Sequence, residues 1–148
     1  GTIVGARGPH GALANESELN TWFRAAYSER FGEEPTYPSY HMAQGFLGLK
    51  SAADQAAASK GGSPNTEEIV DAFEGLEFEA IGSTVKMALA GGHQAISETA
   101  YGTFNYNTET GTPEISNIIR YPAECVNPPA GQTSVEWLEA GMPGANCN

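Results

Sequence analysis

Basic residues are scarce in this sequence. Seven Lys and Arg stand against 18 Asp and Glu, a net charge of −11. A surface of that sign repels phosphate backbones, and no basic stripe offsets it, so nucleic acid is not an expected partner. Anionic membrane faces are disfavoured for the same reason. Long hydrophobic runs are missing too: none approaches the roughly 18 residues of a membrane-spanning helix. Cysteine occurs twice, as Cys125 and Cys147, both in a Pro/Gly-rich last quarter. Neither belongs to a CxxC or a Cys/His group at metal spacing, so no zinc or other metal site is expected. Read alone, the pair is either two free thiols or one disulfide.

The usual catalytic signatures are absent. There is no GxSxG elbow, HExxH, GxxxxGK[ST] or GxGxxG after a strand. His10, His41 and His93 are scattered over a loop, a helix and a turn, with no carboxylates at metal spacing. No serine stands near a histidine in a recognisable arrangement. No cofactor is implied.

What remains is an ordinary folded chain. It has 148 residues, 40% hydrophobic and 17% charged, enough for one domain with a real core. A β-rich start, Thr2 to Gly5, runs into a Gly/Pro loop. Asn15 is a good N-cap with Glu18 three residues on, and Leu19, Trp22, Phe23, Ala26 and Tyr27 form one helical face. A helix over Asn15-Phe31, closed by Gly32, is predicted. After the stiff segment EEPTYP, Ser39 caps a second helix, Ser39-Ser59, which is small or apolar nearly all round. Such a helix is expected between layers, with Gly45 and Gly48 admitting another backbone. Asn65 and Glu68 form a capping box for a third helix, Asn65-Glu74. Glu67, Glu68 and Asp71 there complement the helix dipole and are not read as acid–base groups. Beyond it the hydrophobic period changes from 3.6 to 2. LEFEAIGSTVKMALAGG holds one or two strands, and SETAYGTFNYN pairs with PEISNIIRYP across the turn TETGT as a C-terminal hairpin. A short helical turn is expected around Ser134 to Ala140.

The order of these segments carries a resemblance. FRAAYSERFGEEP is a helix ending in FG-x-x-P, SYHMAQGFLGL opens a Tyr-led helix, EEIVDAFEGLEFEAIGSTVKM joins an acidic short helix to strand, and GGHQ follows. This set, from Gly1 to about Tyr106, resembles the C-terminal part of type I periplasmic substrate-binding proteins, the branched-chain amino-acid binding class of ABC transporters. No single motif is diagnostic; the ordered set and its spacings are. The turn reads GGHQ where the family often has an acidic residue before the His, and the tail with its two cysteines has no counterpart.

The resemblance implies an α/β fragment of a bilobal fold, with residues 1-90 mainly in one lobe and 91-148 as crossover, hairpin and tail. It implies a solute-binding component, not an enzyme, that captures a small amino acid, amide or related carboxylate and delivers it to a membrane permease. A ligand-sensing receptor domain or an enzyme on the same fold is the alternative. It also implies export to the periplasm or cell exterior. The ligand contacts it suggests are Tyr40 at the long-helix start, Arg7 after the first strand and His93 in the GGHQ turn. Backbone N–H groups at that helix start are further candidates for a carboxylate. An exported chain with an even cysteine count is expected to join Cys125 to Cys147, worth roughly 3 kcal/mol in the chain-entropy account. The chain opens on Gly1 without an initiator Met. It is therefore expected to be the C-terminal remnant of a protein more than twice as long. Alone, it is expected to self-associate or to bind the missing N-terminal part.

Overall fold

Two three-stranded sheets and one long helix organise the chain. A computed structural model describes residues 1–145 and 147. In chain order the elements are β1 (Thr2–Arg7), α1 (Glu18–Phe31), α2 (Tyr37–Lys60), α3 (Thr66–Phe73), β2 (Glu77–Ala80), β3 (Ser83–Leu89), β4 (Gln94–Ser97), β5 (Thr99–Asn107), β6 (Thr112–Tyr121) and α4 (Ser134–Glu139). The sheets run β1-β5-β6 and β2-β3-β4, with antiparallel pairing throughout. Both are built across the 90/91 boundary expected from the sequence, because β1 pairs with β5 and β3 with β4. The hairpin β5-β6 and the short α4 form where expected. The strand β4 begins at Gln94, the last residue of the GGHQ turn, where no strand was expected.

Local chemistry explains most element ends. The Asn65 and Glu68 capping box of α3 forms as expected. Lys60, with help from the Asn65 backbone N–H, holds the Glu68 carboxyl below its ordinary range. The start of α1 differs from expectation: Ser17 is the N-cap and its side chain accepts from Asn20 N. Asn15 is recruited elsewhere. Its Nδ2 donates to Glu98 at 2.6 Å, and Glu98 pairs with Arg120 at 3.1 Å. Trp22, expected on the buried face of α1, is 64% exposed. The start of α2 also shifts. Thr36 occupies the N-cap position, and Ser39 Oγ bonds Tyr27 OH instead of capping.

The long helix is not sandwiched. It buries one stripe at four-residue spacing, Tyr40, Gln44, Gly48, Ala52 and Ala56, while Met42, Phe46 and Leu49 stay exposed. Small residues on the buried stripe let β2 come close: an added Cβ at Gly48 would lie 2.8 Å from the Phe78 ring. Gly45 meets nothing within 4 Å. The core below holds Tyr40, Ile81 and Ala14, flanked by Leu19, Phe23 and Leu47. Gln44 Nε2 donates to Ile81 O at 2.8 Å, joining α2 to the β2-β3 turn.

Gly82 makes that turn possible. Its φ is +85°, and a Cβ there would sit 2.7 Å from Ala14 Cβ and 2.9 Å from Pro9 O. Its carbonyl accepts from Asn15 N. Gly82→Ala is therefore expected to cost about 2–3 kcal/mol through backbone strain and overpacking. Urea unfolding monitored by circular dichroism measures it.

Candidate functional site

The end of β1, the first turn of α2 and the face of the β2-β3-β4 sheet enclose a cavity of about 350 Å³. Its lining includes Arg7, Tyr37, His41, Gln44, Phe78 and Ser97. Each side chain arrives there for a local reason. Arg7 is the last residue of β1, so its guanidinium leaves the sheet where the chain turns at Gly8. It donates to Asn127 Oδ1, and Asn127 is 2% exposed and anchored by its own bond to Ala123 O at 2.7 Å. A buried amide thus orients an exposed cation. Tyr37 and His41 are one helical turn apart on α2 and stack with ring centroids 4.1 Å apart. His10 meets Tyr37 edge-on at 5.1 Å.

Gly8 permits this assembly. Its φ is +67°, and a Cβ there would strike the His41 ring at 2.8 Å. His41 Nε2 is buried without a hydrogen-bond partner among the described residues. Burial holds the imidazole below its ordinary pKa; the Gly8 backbone opposes the shift and His10 adds to it. The folded state therefore favours neutral His41. Stability from this source is complete above the unfolded value near 6.5 and falls as pH drops through the lowered folded value. His41→Gln is expected to flatten that part of the stability profile between pH 7 and 5, as read from urea midpoints at stepped pH.

Chemically, the cavity offers one cation, an aromatic and apolar wall, and a hydroxyl at Ser97. That set suits a small anion with a flat or apolar body. A larger concavity, about 720 Å³, lies against the β1-β5-β6 sheet. Among the described residues, no charged side chain lines it.

The three residues expected at the site are placed differently. Arg7 lines the cavity. Tyr40 does not: its ring is 0% exposed, packs edge-to-face on Phe23 at 5.2 Å, and its hydroxyl donates to Asn20 Oδ1 at 3.1 Å. It is a core residue, and burial pushes its phenol up. Tyr37, one turn earlier, supplies the aromatic surface instead. His93 lies outside this cavity, half exposed, with Nε2 3.1 Å from Glu74 Oε1. Its partner is thus a carboxylate on the segment after α3, not a ligand in this cavity. Tyr37, His41 and Phe78 were not read from the sequence as site residues. The i, i+4 pairing of Tyr37 and His41 at a helix start was the available signal.

Comparison with family models and with curated proteins gives no match. Several solved structures are similar, among them two ABC-transporter proteins. One is an ABC-type branched-chain amino acid transporter from Rhodopseudomonas palustris CGA009, with TM-score 0.60 and 19% identity. The alignment covers 80% of this chain and 30% of that one. The other is a solute binding protein of an ABC transporter from Rhodopseudomonas palustris BisB5, in complex with 3,4-dihydroxybenzoic acid. Its TM-score is 0.56 at 17% identity, covering 72% of this chain and 28% of that one. The chain has a solute-binding-protein-like fold. It spans less than a third of either neighbour's length. No helix among the described residues is long and apolar enough to cross a membrane.

Proposed function

We propose that this chain is part of an exported solute-binding component of an ABC transporter, and that it holds a small carboxylate at the Arg7 cavity. Arg7 carries this reading: an oriented guanidinium stands at the edge of a cavity walled by Tyr37, His41 and Phe78. The fold similarity to solute-binding proteins supports it. Arg7 pairs with the solute's carboxylate through parallel N–H bonds, while the rings cover its body. Amino acids, amides with a carboxylate, and aromatic acids are the solute classes of choice. The rest of a longer protein closes over the solute by a hinge movement and presents it to a membrane permease outside the cytoplasm. The uncovered Met42, Phe46 and Leu49 stripe on α2 supports the expectation that more chain, or a second copy, packs on this helix.

A ligand-sensing receptor domain would use the same cavity, and a permease partner separates the two readings. Solute-dependent stimulation of permease ATPase activity in proteoliposomes supports transport. A thermal-shift screen with amino acids, amides and aromatic acids on the full-length natural protein tests the solute class. Stabilisation by carboxylates, and none by the matching esters or alcohols, is expected. Equal responses to acids and esters would contradict a role for Arg7.

A further inference from the structure

The segment from Pro128 onward is tied to the rest of the molecule in an unusual way. Its hydrogen bonds are local: Gln132 N to Pro129 O, the Thr133 and Glu136 capping box of α4, Trp137 Nε1 to Pro143 O at 3.0 Å, and Met142 N to Trp137 O. The segment returns to the body of the chain at Cys147, which lines one concavity together with Cys125. Cys125 follows β6 directly, in a single 3-10 turn beginning at Ala123. Both thiols face the concavity on the β1-β5-β6 sheet, beside Ala145, Ile3 and Ile119. Ile3 and Ile119 are 77% and 56% exposed, so apolar packing holds the tail weakly on that side.

We propose that Cys125 and Cys147 form a redox clasp that fixes the C-terminal segment against the β1-β5-β6 sheet when oxidised and releases it there when reduced. The reaction is thiol–disulfide exchange with an external disulfide. The thiolate of one cysteine attacks the reagent R–S–S–R, forming a mixed disulfide and expelling RS⁻. The second thiolate attacks the protein sulfur of that mixed disulfide and expels the second RS⁻. Two protein thiols thus become one disulfide, two electrons pass to the reagent, and two RSH form. Ring closure joins two thiols that the fold already brings to one concavity. The bond then fixes one wall of the sheet concavity, which the reduced chain leaves to weak local contacts. The clasp closes on a different cavity from that of Arg7, and its failure would leave the carboxylate reading intact.

The test uses oxidised glutathione as the disulfide reagent. Wild-type chain is oxidised, then titrated for thiols under denaturant and run on a non-reducing gel. A monomer with no reactive thiol is expected. Hydrogen exchange by mass spectrometry then compares oxidised chain with chain reduced by a phosphine. Amides in peptides covering residues 137–147 are expected to exchange at least tenfold more slowly in the oxidised form, with α2 peptides unchanged. Cys147→Ser should show the reduced pattern under both conditions. Two reactive thiols after oxidation, a disulfide-linked dimer, or equal tail exchange in both states would each overturn the clasp. The wild-type comparison stands even if the serine variant folds poorly.

Discussion

Tyr40→Ala is expected to lower unfolding free energy by about 3–5 kcal/mol, the range for emptying a large buried aromatic site. The ring is fully enclosed. It packs edge-to-face on Phe23 and stands 6.2 Å from His10, so its removal opens a cavity between α1, α2 and the β2-β3 turn. Tyr40→Phe isolates the hydroxyl. Asn20 Oδ1 loses its donor while Asn20 Nδ2 still holds Asn15 O at 2.9 Å, so a buried acceptor is left unpaired. A loss of about 1–2 kcal/mol is expected for that variant. Urea unfolding at 25 °C measures both. An alanine variant within 1 kcal/mol of wild type would show that the helix start is not part of the core.

The second large effect concerns Arg7. Arg7→Ala is expected to weaken carboxylate binding by about 10- to 150-fold, since a charge-assisted hydrogen bond contributes roughly 1.5–3 kcal/mol. Stability should fall by about 1 kcal/mol or less, because Asn127 loses one partner but keeps its bond to Ala123. Arg7→Lys restores the charge without the planar fork, so it should recover only part of the affinity. Titration calorimetry on the variants gives these ratios. Equal affinity in Arg7→Ala would move the solute site away from this cavity.

The sequence shows some of this architecture directly. The α3 capping box, the β5-β6 hairpin and the brief α4 depend on contacts within a few residues, and all three form as read. The α1 cap illustrates the limit. Asn15 and Ser17 both suit an N-cap, and the choice is made by Glu98 and Arg120, more than 80 residues away, which engage Asn15 and its neighbour Ala14. The buried stripe of α2 is hidden for a related reason. A helix of small residues looks apolar all round, and only the Phe78 ring resting on Gly48 marks the side that the sheet takes. Tyr37 and Tyr40 sit a turn apart, so the tilt of α2 against the sheet decides which ring enters the core. β4 was masked by its two preceding glycines. At the site, Arg7 came only from the family resemblance, since a solvated loop arginine reads the same in sequence. His41 acquires its setting from Gly8, a neighbour only in space.

The central claim is that the Arg7 cavity holds a small carboxylate for a solute-binding protein. Titration calorimetry of the full-length natural protein with a panel of amino acids and aromatic carboxylates, repeated on Arg7→Ala, tests it most directly. The expected result is one-to-one binding of at least one acid, weakened tenfold or more by the substitution. Either no acid in the panel binding, or an acid binding equally well to both proteins, would contradict the account.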